Sequence, residues 1–208
     1  LVRALNTAGL EERDISVVNI SDADLVSAFQ TDDVRHVATW NPLLTEVASF
    51  PGATPLFDSS QIPGHIKDLT LVNTQTLTDN PKLGKALVGA WYETMNILAS
   101  DSEQGEEARA FLGEISGTDQ LGYEAQLDGM KMFWKPENSL EFIRSNEARE
   151  AMDSVRQFSF DKGLLGQGAM SPDFVGIEFP DGSVMGDKSN VKLRFDDSYM
   201  EMAADGEI

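Results

Sequence analysis

No cysteine occurs among the 208 residues. That excludes disulfides, thiol nucleophiles and cysteine-ligated metals within the chain, and it leaves the compartment open. No apolar run approaches the roughly 18 residues of a membrane span, and no basic start followed by an apolar stretch marks a secretory signal. Basic residues are scarce: 16 Lys and Arg stand against 35 Asp and Glu, for a net charge of −19. Such a surface repels nucleic-acid phosphates and anionic lipid headgroups alike. Histidine is nearly absent. His36 falls in a strand-like run and His65 in a loop, without the carboxylate or cysteine spacing of a metal site. The glycine-rich stretch from Gly163 to Gly168 is not followed by Lys-Ser/Thr, so it is no phosphate-binding loop. Without a Gly-x-Ser-x-Gly elbow, a catalytic triad has no support either.

What is present is enough for a globular core: 41% apolar residues, 8% of the chain aromatic. The acidic residues are spread along the chain. They read as a solubilising surface, with attraction of a cationic ligand as the alternative.

The first 66 residues read as alternating helix and strand. Leu1, Ala4, Leu5 and Ala8 share a helical face that Gly9 can end. Ile15 to Asn19 is β-rich, and Ser21 and Asp24 then offer a capping box for a helix carrying Leu25, Val26, Ala28 and Phe29. Val34 to Trp40 reads as a second strand, Pro42 to Ser49 as a helix capped by Asn41, and Thr54 to Phe57 as a third strand. A βαβαβ order implies a parallel sheet with right-handed crossovers. Open sheets of this kind bind ligands at the C-terminal edge of their strands. That edge would gather Ile20-Ser21, Trp40-Asn41 and Asp58-Ser59-Ser60.

Ile66 to Asn73 is an isolated extended stretch, after which the pattern turns helical. Asn80-Pro81 opens a long helix with Leu83, Leu87, Ala90, Trp91, Thr94 and Leu98 on one face. Further helices are expected near 106–115, 118–127, 137–144 and 147–158. Pro180-Asp-Gly182 lies between two short β-rich runs and predicts a hairpin. Val191 to Phe195 predicts one more strand, and Asp197 to Ala204 a final helix. The chain starts at Leu1, without Met and already inside an apparent helix, which suggests a truncated sequence whose absent beginning could have carried an export signal.

Several segments together resemble one family. They are Ala38-Thr-Trp-Asn-Pro42, Leu56-Phe-Asp-Ser-Ser-Gln-Ile-Pro-Gly64, Lys85-Ala-Leu-Val-Gly-Ala-Trp-Tyr-Glu93, Gly163-Leu-Leu-Gly-Gln-Gly168, Gly176-Ile-Glu-Phe-Pro-Asp-Gly182 and Gly186-Asp-Lys-Ser-Asn-Val-Lys-Leu-Arg-Phe195. In this order, over nearly the whole chain, they resemble the taurine/sulfonate/thiamine-precursor class of ABC-importer solute-binding proteins, most of all its urea-carboxylase-associated branch. The resemblance implies an α/β, periplasmic-binding-protein-like fold of type II, with two lobes, parallel-rich sheets and the N-terminal part absent. Residues 1–66 would be the C-terminal part of lobe 2, and 67–208 the hinge return and the C-terminal part of lobe 1. It further implies a periplasmic or otherwise extracytoplasmic monomer, possible membrane tethering, a small nitrogen-containing solute such as urea, guanidine or an amide, and an ABC permease of the inner membrane as partner. No cofactor, metal or nucleic acid is implied.

Trp40 could stack on a planar or cationic ligand, and Asn41 offers a donor and an acceptor. The alternative is a core indole and a simple helix cap. Asp58, Ser59 and Ser60 suit a polar ligand rich in N–H donors, or else form a loop cap. Phe133 and Trp134 could line the other side of a cleft, or belong to the core. Glu124 reads as a cleft residue or a solvated helix face. Two further functions fit the same scaffold: an enzyme like the pyrimidine-precursor synthases, which would need a reactive His or Lys, and the effector domain of a regulator.

Overall fold

The computed structural model describes residues 1–208, and in it the three β-rich runs of the first 66 residues form no sheet. They carry no regular secondary structure, and no backbone hydrogen bond joins Ser16–Ile20, Val34–Thr39 or Thr54–Phe57 to one another. The expected two-lobed, parallel-rich α/β architecture is therefore overturned: about 51% of the chain is helical and its only sheet has three strands. The physical reason lies in cover. Parallel strands need both faces buried by helices, and here the two intervening helices each bury a single residue, Leu25 and Val47. Val17, Val18 and Leu56 remain 64%, 70% and 77% exposed, so pairing those runs would have no apolar face to bury.

Two units make up the chain: Leu1–Asp58 with Arg109–Lys131, and Ser59–Ala108 with Met132–Ile208. The first holds α1 (Val2–Thr7), α2 (Asp22–Phe29), α3 (Leu43–Ala48), the end of α6 (Glu103–Ile115) and α7 (Gln120–Asp128). Ser21 precedes α2 as expected, but its hydroxyl donates to the Asp24 carboxylate at 2.6 Å and caps no backbone N–H. α2 packs against α3, with the rings of Phe29 and Phe50 stacked at 6.3 Å.

The second unit holds α4 (Thr74–Asp79), α5 (Pro81–Leu98), the start of α6, α8 (Pro136–Ile143), α9 (Asn146–Asp161), α10 (Ser198–Ala204) and the strands β1 (Gly176–Glu178), β2 (Val184–Met185) and β3 (Val191–Arg194). β1 is central, antiparallel to β2 with Ile177 opposite Met185, and parallel to β3 with Ile177 opposite Leu193. The hairpin turn works as its sequence predicts. Gly182 takes φ +76°, a conformation that costs glycine nothing, and Phe179 N–H donates to the Ser183 carbonyl at 2.9 Å.

α9 starts where Ser145 Oγ accepts from Ala148 N–H at 3.1 Å. It buries Ala148, Ala151 and Met152, a spacing of three and four residues that defines one face. Met152, Ile177 and Phe179 form the core, bordered by Met185, Leu193 and Phe195. Phe179 and Phe195 stack at 5.7 Å, and the Arg149 guanidinium sits 4.2 Å from the Phe179 centroid.

The buried face of α5 differs from the expected one. It runs through Gly84, Met95 and Leu98, while Leu87 and Trp91 stay exposed. The cause is close approach at Gly84. A Cβ there would lie 2.3 Å from Cζ of Tyr199 on α10, so only glycine admits that ring.

Candidate functional site

Trp40 and Asn41 stand just before α3, inside the first unit. Thr39 turns inward, its Oγ1 buried without a hydrogen-bond partner, while Trp40 turns outward and is 63% exposed. The Asn41–Pro42 peptide is cis, and Pro42 rather than Asn41 occupies the cap position of α3. Asn41 Oδ1 instead accepts from Thr45 Oγ1 at 3.0 Å, which orients the carboxamide. An outward indole and an anchored amide therefore stand side by side. The indole offers a flat π face to a planar, electron-poor group, and the amide adds directional hydrogen bonds.

The other expected site residues are distributed over both units. Asp58 closes the first segment of the first unit, and Ser59 and Ser60 begin the second in a single 3-10 turn, Ser59–Gln61. Phe133 and Trp134 are half-buried in the second unit, where Phe133 meets Phe142 with ring centroids 5.3 Å apart. Glu124, on α7, accepts from Gln120 Nε2 at 2.9 Å and from Arg109 Nε at 2.8 Å, and both hydrogen bonds hold its carboxyl below the usual range.

Sequence reasoning missed a concavity of about 440 Å³ in the second unit, lined by Arg144, Pro180, Asp181, Asp197 and Glu201. Arg144, just past α8, donates to Asp197 at 2.6 Å and to Glu201, which stands four residues further on, a turn along α10. Asp181 accepts from the hydroxyl and backbone N–H of Ser183 and faces Arg149 at 2.9 Å. These contacts, the Ser183 hydroxyl first, lower its pKa to about 2. The spacing of Asp197 and Glu201 was visible in the sequence. Their arginine partner was not, because it lies 53 residues before Asp197.

A second concavity of about 440 Å³ lies in the first unit, walled by Phe29, Val34, Arg35 and Phe50. No cluster of three or more His, Asp or Glu side chains is placed to hold a metal ion. No helix is long and apolar enough to cross a membrane. No family model, no curated protein and no solved structure matches the chain.

Proposed function

We propose that this chain is the extracytoplasmic solute-binding component of an ABC importer, capturing a small nitrogen-containing solute such as urea, guanidine or an amide and delivering it to the permease. The observation that carries the reading is the outward Trp40 indole beside the anchored Asn41 carboxamide. A flat N–H-rich solute stacks on the indole face and donates to or accepts from the amide. The charge of −19 favours a neutral or cationic solute over an anionic sulfonate. Family resemblance in the segments around residues 38–42, 56–64, 85–93 and 176–195 supplies the importer context.

The test is tryptophan fluorescence and thermal shift on the intact chain with urea, guanidinium, small amides and taurine, against ionic-strength-matched salts. A ligand that binds only the folded state raises the melting temperature as its concentration passes Kd. One nitrogen compound should give a saturable rise that Trp40→Ala abolishes while the unliganded melting temperature holds. A rise with taurine alone, or a rise that Trp40→Ala leaves intact, would refute this assignment.

A further inference from the structure

The concavity of about 440 Å³ in the first unit is lined by two short segments, within residues 29–35 and 50–53, so it lies wholly inside that unit. Each segment leaves the C-terminal end of a helix, the first from α2 and the second from α3, and the packing of α2 on α3 brings them together. Phe29 and Phe50 are half-buried there, their rings 6.3 Å apart and inclined by 22°. With the half-buried Val34 they form an apolar wall. The volume falls in the range of small-molecule sites.

Two side chains of opposite charge, Asp32 and Arg35, complete the lining. Both are exposed, and they face each other at 3.8 Å, too far apart for a hydrogen bond. Neither makes any other ion pair or side-chain hydrogen bond, and the Gln30 carboxamide in the same lining makes none either. An exposed pair of this kind contributes little to stability, so both charges can turn to a ligand at small cost. A lone anion would meet Asp32 and the net charge of −19 as well as Arg35, and a lone cation would meet Arg35 as well as Asp32. A zwitterion answers both charges at once.

We propose that this cavity binds a zwitterionic α-amino acid with an apolar side chain. Its carboxylate accepts from the Arg35 guanidinium, its ammonium donates to the Asp32 carboxylate, and its side chain lies against Phe29, Phe50 and Val34. Ammonium and carboxylate hang on one carbon of the ligand, which suits two partners that already stand close together. The ligand is neutral overall, so the acidic surface does not repel it. Neither Trp40 nor Asn41 lines the cavity, so this site is independent of the solute reading and stands or falls without it.

The experiment is isothermal titration calorimetry of the intact chain with three compounds: L-phenylalanine, 3-phenylpropanoate, which lacks the ammonium, and 2-phenylethylamine, which lacks the carboxylate. L-Phenylalanine should bind saturably, and each analogue about tenfold or more weakly, because each forfeits one charge-assisted contact. Arg35→Gln should weaken phenylalanine by a similar factor while phenylethylamine binds no more weakly than before. Asp32→Asn should weaken phenylalanine likewise and spare phenylpropanoate. Both positions are exposed, so the variants should melt at the parent temperature. Trp40→Ala should leave phenylalanine binding intact. No saturable binding of phenylalanine, an analogue that binds as tightly, or affinity insensitive to both charge variants would overturn the proposal. Loss of binding in Trp40→Ala would overturn it too, by placing the ligand at the indole instead.

Discussion

Replacing Gly84 by alanine sets two effects of opposite sign against each other. Within a helix, alanine is favoured over glycine by about 1 kcal/mol. Against that, the new methyl would stand 2.3, 2.5 and 2.6 Å from Cζ, Cε2 and Cε1 of Tyr199. Those are three atoms of one rigid ring, so rotating a flexible chain end cannot relieve the contact. Either the ring leaves its seat or α10 shifts, and α10 is tied to Arg144 through Asp197 and Glu201. Overpacking of this kind costs about 1–3 kcal/mol. Gly84→Ala should therefore destabilise the protein by up to about 2 kcal/mol once the helix gain is subtracted. In a Tyr199→Ala background the clash is gone, and the same change should stabilise by about 1 kcal/mol. Urea denaturation of all four proteins, followed by circular dichroism, closes the cycle. The reversal of sign is the decisive result. A gain in both backgrounds, or an equal loss in both, would refute the close approach of α5 and α10.

Two further outcomes follow from the same physics. Asp181 has its pKa depressed to about 2 in the folded state, against about 3.9 when unfolded. Its stabilising contribution is therefore fully present above the unfolded value and is lost as pH falls toward 2. The stability difference between the native protein and Asp181→Asn should be flat near neutrality and shrink through that acid window, as denaturation at a series of pH values would show. A difference that grows on acidification would contradict the Ser183 and Arg149 contacts. Replacing Val17 and Val18 together by lysine should change stability by no more than about 0.5 kcal/mol, as befits exposed positions. A loss of several kcal/mol in the same denaturation assay would mean that the run is a buried strand after all.

The legible parts of this fold are those whose signals are local. Ser145 ahead of Ala148 opens α9, Asn80-Pro81 opens α5, and Pro180-Asp-Gly182 makes the β1–β2 turn. Each depends on a cap, a ring-locked φ or a permissive glycine within four residues. Even the concavity lined by Asp197 and Glu201 left its helical spacing in the sequence. The 15–19, 34–40 and 54–57 runs show the limit. Their composition favours an extended backbone, yet none of them is a strand. Whether such runs become a sheet depends on a buried face, and α2 and α3 are too short and bury too little to provide one.

The candidate site divides along the same line. That Trp40 and Asn41 are neighbours is a fact of sequence; that the indole faces outward while Thr39 faces in was decided by the packing of the first unit. The α5 face was decided in the same way. Helical periodicity marked Leu83, Leu87, Trp91 and Leu98, yet burial settled on Gly84, Met95 and Leu98. Lys67 is the clearest case. Its Nζ donates to Met152 Sδ at 3.5 Å, and nothing around residue 67 in the chain announces an acceptor 85 residues away. Local propensity alone thus determined the helices and the hairpin turn. Which side chains lost their water was decided only by contacts between segments remote in sequence, because desolvation depends on neighbours in space.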